Sequence, residues 1–126
     1  MLTLRDIKKE YRVGDMTVPA LKGVSIQFRK SEFVSVLGQS GCGKTTLLNV
    51  IGGLDGFASG SVTVDGESVK ADPDRIRNEY VGYIFQNYNL NGEQSSFDNV
   101  AAALRLCGMT DEELIERRVN AALKNV

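Results

Sequence analysis

Histidine is absent from this 126-residue chain, and its only cysteines are Cys42 and Cys107. No Cys/His cluster therefore offers a metal site, and no disulfide framework is expected. Two free thiols in a reducing cytoplasm are the natural reading. Basic charge is not in excess: the net charge is −1 and there is no basic block, so nothing points to a nucleic-acid surface. No apolar run approaches the ~20 residues that span a bilayer, and the N-terminus lacks a signal-peptide pattern. Internal repeats, low-complexity tracts and linkers are also missing. What is there is ordinary: 42% hydrophobic and 25% charged residues, enough for one domain with a real core.

Against that background one segment stands out. Gly38-Gln39-Ser40-Gly41-Cys42-Gly43-Lys44-Thr45 fits the G-x-x-x-x-G-K-[ST] pattern of a phosphate-binding loop. Phe33-Val34-Ser35-Val36-Leu37 before it alternates like a buried strand. Thr46-Leu47-Leu48-Asn49-Val50-Ile51 after it reads as a helix ending at Gly52-Gly53. Glycines at 38, 41 and 43 tolerate unusual φ, so successive N–H groups can form an anion-binding concavity. The helix start adds unpaired N–H groups and the positive end of its dipole. Lys44 would place an ammonium on the β/γ-phosphates, Thr45 a hydroxyl on Mg²⁺, and Thr46 is placed to reach a phosphate oxygen. A plain glycine-rich turn is the alternative, since the chain holds 13 glycines. The strand before and helix after favour a nucleoside triphosphate site.

Elsewhere, Leu2–Ile7 and Val24–Phe28 read as strands separated by a polar stretch containing Gly14-Asp15 and Pro19. Gly60–Gly66 suggests a strand ending in an Asp65-Gly66 turn, with Glu67-Ser68-Val69 returning. Asp72-Pro73 reads as a helix start, and Tyr80–Phe85 as a second buried strand. Ser96 to Cys107 turns helical, with Val100, Leu104 and Cys107 on one face. Thr110-Asp111-Glu112-Glu113 has the form of a capping box opening a last helix, whose apolar face would be Ile115, Val119, Ala122 and Val126. Both apolar stripes suit core packing.

These landmarks together resemble the N-terminal part of an ABC transporter ATP-binding domain, of the branch with lipoprotein-release, macrolide-export and bacitracin-resistance-type transporters. The residues that carry the resemblance are Tyr11, Ala20 to Val24, Gly38 to Thr46, Leu47-Leu48-Asn49 and Gly53-Leu54-Asp55. Ser59-Gly60, Val64-Asp65-Gly66, Val81 to Gln86, Asn89-Leu90 and Asn99-Val100 continue it. The implied fold is α/β: a P-loop NTPase core with an N-terminal antiparallel β-subdomain, over about residues 1–90, and the start of a helical subdomain over about 91–126. The chain then reads as a truncated ATP-binding domain. The resemblance implies that Tyr11 stacks on adenine; taken alone, Tyr11 would be an amphipathic residue at a strand end. It implies that Gln86 reaches Mg²⁺ and the attacking water and, with Lys44, serves catalysis. Taken alone, Gln86 is a polar residue after a strand.

The implied partners are a transmembrane permease domain, fused or separate, and a second ATP-binding domain. The implied location is the cytoplasmic inner face of the cell membrane. Gln39 stands where the family commonly has proline, and Cys42 and Thr45 where it has serines; the loop chemistry is kept. Phe57 stands at a frequent proline position, and Asn91-Gly92 replaces an apolar-proline pair in the segment that meets the permease. The Leu-Ser-Gly-Gly-Gln signature, the Walker B acid, the catalytic Glu and the switch His do not occur. The expectation is therefore Mg·ATP binding with negligible hydrolysis by these residues alone. Two alternatives stand beside it: another P-loop NTPase, such as a GTPase or small kinase, and a nucleotide-binding module without turnover. No Asn-Lys-x-Asp base-reading motif supports the GTPase.

Overall fold

Two long strands, β1 (Leu2–Val13) and β2 (Met16–Phe28), make one antiparallel hairpin closed at Gly14-Asp15. The computed structural model describes all 126 residues and divides into two compact units, Met1–Tyr83 and Ile84–Val126. In the first unit β3 (Ser59–Val64) pairs with the other side of β1, and β4 (Glu67–Ser68) folds back over the Asp65-Gly66 turn. The sheet order is β2-β1-β3-β4. The hairpin is longer than the two short strands expected. Residues 8–13 carry charge on both faces, so no apolar alternation marks them as strand. Pro19 lies opposite Glu10 in edge strand β2, beside a register shift, where a missing N–H is tolerated.

Helix α1 (Lys44–Ile51) packs on this sheet through Leu47 and Val50, and α2 (Pro73–Glu79) through Ile76. With Leu4, Ile7, Leu21, Val62 and Val69 they form the core of this unit. Burying each such side chain contributes about 1.5–3 kcal/mol. α2 starts as expected: the Asp72 side chain accepts the Arg75 N–H at 3.0 Å, and Pro73 occupies the first turn.

Two expected strands do not form. Residues 33–37 have no ladder partner, and Phe33 and Leu37 are 95% and 89% exposed. Tyr80–Phe85 is not a strand either; Val81 packs on the core, and the Tyr83 hydroxyl donates to Asn49 Oδ1 at 2.7 Å. A parallel strand is buried only between flanking strands with covered faces. The sheet built by these residues is antiparallel throughout, and neither segment joins its edges.

The second unit holds α3 (Ser96–Leu106) and α4 (Glu112–Lys124). Ala101, Ile115 and Val119 are fully buried, with Phe97, Val100, Leu104, Met109 and Leu123 around them. Cys107, Ala122 and Val126, expected on the apolar faces, are exposed. Four residues past Val119 lies Leu123, nearer the face centre than Ala122 and with a longer side chain. Asp111, not Thr110, caps α4 by accepting the Leu114 N–H at 3.0 Å. Ser95 caps α3 in the same way through the Asp98 N–H, at 3.1 Å. Arg105 grips Glu112 with two hydrogen bonds, 3.2 and 2.7 Å. No helix is long and apolar enough to cross a membrane.

Candidate functional site

Between the unpaired segment ending at Leu37 and the start of α1, the chain makes the glycine-rich loop. Gly43 immediately precedes the helix with φ +95°, a left-handed conformation that L-residues avoid. A Cβ there would lie 2.7 Å from the Ala20 carbonyl oxygen, so β2 presses directly on the loop. Gly41 is also left-handed, at φ +79°, but a Cβ there would meet only open space. Gly38 departs from expectation. Its φ is not positive; instead, a Cβ would lie 2.5 Å from Cys42 Sγ, so its bareness makes room for the thiol.

This geometry leaves a set of donors unspent. The first backbone bond of α1 runs from the Leu47 N–H to the Gly43 carbonyl, 2.8 Å, and no side chain caps the helix. The N–H groups of Lys44, Thr45 and Thr46 thus have no protein acceptor, and no acidic residue lies in this turn. A helix start in this condition attracts an anion. The Lys44 ammonium lies back over the loop, donating to the carbonyls of Gly38 and Gln39 at 2.7 Å each, with Cys42 Sγ at 3.7 Å. Cys42 and Cys107 are free and exposed.

Tyr11 sits inside β1, not at a strand end, and reaches this helix. Its hydroxyl is 2.8 Å from Asp55 Oδ2 and 3.3 Å from Thr46 Oγ1. Asp55, in the turn after α1, also accepts from Lys9 Nζ at 2.6 Å, and that ammonium lies 4.9 Å from the centre of the Tyr11 ring. The Lys9 hydrogen bond holds the Asp55 carboxyl below its usual pKa; partial burial opposes the shift and the Tyr11 hydroxyl adds to it. Lys9 and Asp55 were not assigned roles from sequence. The available signal was that Lys9 and Tyr11, two apart on a strand, share one face.

The structure thus brings Tyr11 together with Thr46, and Thr46 with the loop from Gly38. Gln86 belongs to the second unit, exposed at the head of a turn that the Tyr88 N–H closes onto the Phe85 carbonyl at 3.0 Å. The start of α1 suits a phosphate: its N–H groups are unpaired, no acidic residue lies in its first turn, and the Lys44 ammonium is close to the loop. For a divalent cation, Thr45 is the residue of α1's first turn that can offer an exposed hydroxyl oxygen. No group of three or more His, Cys, Asp or Glu side chains stands ready to hold a metal by itself.

Comparison with known proteins gives a consistent picture. A family profile described as ABC transporter matches residues 21–126. The macrolide export ATP-binding/permease protein MacB of Syntrophobacter fumaroxidans is 41% identical over 112 residues, 86% of this chain but 16% of that protein. The spermidine/putrescine import ATP-binding protein PotA of Thermotoga maritima is 48% identical over 103 residues, 82% of this chain and 27% of that protein. Among solved structures, the ATP-binding cassette MJ0796, a dimer bound to ADP and Pi in a post-hydrolysis state, superposes with a TM-score of 0.88. It is 33% identical and covers 98% of this chain and 56% of its own. The chain therefore spans about a sixth to a quarter of those two curated relatives and about half of the solved cassette.

Proposed function

We propose, for a chain that belongs to the ABC transporter family, that residues 38–46 bind the phosphates of Mg·ATP and Tyr11 stacks on the adenine. The observation that carries this reading is the run of unpaired N–H groups at Lys44, Thr45 and Thr46, beneath two left-handed glycines. The first-turn amides supply directed donors beside a loop whose Cys42 N–H is turned inward onto the Gln39 carbonyl at 3.3 Å, and the helix dipole adds partial positive charge. Lys44 exchanges its carbonyl partners for phosphate oxygens; a charge-assisted bond of that kind contributes about 1.5–3 kcal/mol. Magnesium, when bound, would neutralise phosphate charge, and Thr45 is the residue of the loop that would hold it. Gln86 can both donate and accept, which suits it to orient water. Cys42 lines the loop and stays reduced.

In the longer proteins to which this chain is similar, the names speak of export, import and permeases. We extend that to this chain as an ATPase motor at the cytoplasmic face of a membrane. It works with a permease domain and pairs with a second ATP-binding domain, as the solved cassette does. The 126 residues alone bind Mg·ATP without sustained turnover, since Gln86 is an amide and no general-base carboxylate is assigned among them.

The test is a titration with a fluorescent ATP analogue and Mg²⁺, competed by ATP and by GTP. ATP competes better than GTP, and Lys44→Ala weakens binding by about tenfold or more. Unchanged affinity in Lys44→Ala removes the phosphate-loop reading, and sustained phosphate release by the unmodified chain removes the statement on turnover.

A further inference from the structure

The contacts around Tyr11 are more than the stacking role asks for. Lys9, Asp55, Tyr11 and Thr46 form a continuous chain of polar contacts from β1 across the turn after α1 to the first turn of the helix. Asp55 uses both carboxylate oxygens: Oδ1 on Lys9 Nζ at 2.6 Å and Oδ2 on the Tyr11 hydroxyl at 2.8 Å. The phenol has one proton, and the carboxylate, as the stronger acceptor, takes it. The 3.3 Å contact between Tyr11 and Thr46 is then made with the Thr46 hydroxyl donating. The Lys9 ammonium covers one face of the Tyr11 ring at 4.9 Å, so a base has only the opposite face to stack on. The Lys9 and Asp55 side chains are mostly buried, 15% and 28% exposed, whereas Tyr11 stands 37% exposed. A shielded ion pair thus holds an accessible ring.

We propose that Asp55 and Lys9 are positioning residues for base recognition: Asp55 fixes the Tyr11 ring by its hydroxyl, and Lys9 closes one ring face so that the base is received on the other. This deepens the reading of Tyr11 as the base platform and rests on it. The two residues touch neither phosphates nor the reacting atoms; they act through Tyr11. Their effect therefore falls on the part of affinity that depends on the base. The triphosphate part depends on the loop and is left alone.

The experiment compares binding of Mg·ATP and Mg·tripolyphosphate to the full chain by calorimetry or competition. The unmodified chain binds ATP more tightly than tripolyphosphate. Asp55→Asn, nearly isosteric, lowers ATP affinity about five- to tenfold and leaves tripolyphosphate within about twofold. Tyr11→Phe keeps the ring but removes the hydroxyl; in that background Asp55→Asn has little further effect. Lys9→Gln lowers ATP affinity with tripolyphosphate again unchanged. Equal loss for both ligands in Asp55→Asn, or full additivity with Tyr11→Phe, overturns the proposal while nucleotide binding stands. An unmodified chain that binds tripolyphosphate as tightly as ATP removes the base platform itself, and one that binds neither removes the phosphate-loop reading.

Discussion

Cys42 shows how finely the loop is fitted at single residues. Its thiol occupies the space that a side chain at position 38 would need, and it faces the Lys44 ammonium at 3.7 Å. Alkylating Cys42 is therefore expected to block nucleotide, and Mg·ATP to slow the labelling; mass spectrometry of the modified peptide, with Cys107 as internal reference, reads both. Equal labelling with and without nucleotide would count against this placement. Asp55 gives a pH prediction. Its folded pKa lies below the ordinary value of an aspartate carboxyl, chiefly because Lys9 donates to it. A depressed carboxylate adds stability at neutral pH, present in full above the unfolded value and lost as pH falls through the folded one. Because both side chains keep some solvent exposure, the contribution is held to about 1 kcal/mol. Urea denaturation should show Asp55→Asn slightly less stable than the parent at pH 7, with the difference gone once the pH is below the folded pKa.

At the scale of elements, the loop and first turn of α1 were legible in the sequence because their chemistry needs particular residues at fixed spacing. Gly43 illustrates the demand: φ of +95° and the Ala20 carbonyl 2.7 Å from a would-be Cβ leave no room for another residue. Gly43→Ala should cost about 1–3 kcal/mol in chemical denaturation and abolish nucleotide binding together. The start of α4 was less legible. Thr110 and Asp111 both resemble caps in sequence, and only the backbone shows Asp111 meeting the Leu114 N–H. Asp111→Ala should destabilise α4 by about 1 kcal/mol, whereas Thr110→Ala should stay within about 0.5 kcal/mol. Helical content followed through thermal melting separates the two. The outer half of the β1–β2 hairpin was not legible in the sequence, and neither were the contacts that join Asp55 to Lys9 and Tyr11. Periodicity reports a buried face, and neither a strand wet on both sides nor a contact between distant residues has one. Residues 33–37 went the other way: their pattern reads as a buried strand, but no neighbour pairs with them and all five are exposed.

For the whole molecule, the apolar side chains of Phe33, Leu37 and Ile84 are among the most exposed. Contiguous exposed apolar stretches favour association. Sedimentation velocity should show concentration-dependent self-association that Phe33→Lys with Leu37→Lys relieves; a strictly monomeric parent would contradict it.

The hairpin makes a different demand. Leu4, Ile7 and Leu21 anchor its inner rungs in the core, but from Glu10 to Pro19 no residue is buried. Amide hydrogens on the outer rungs should thus exchange through local fraying at almost no free-energy cost, while those at Leu4 and Ile7 wait for global unfolding. Tyr11, opposite Val18, lies among the outer rungs, one pair beyond Glu10 and Pro19. On warming, the grip on the base would slacken well before the phosphate loop lets go.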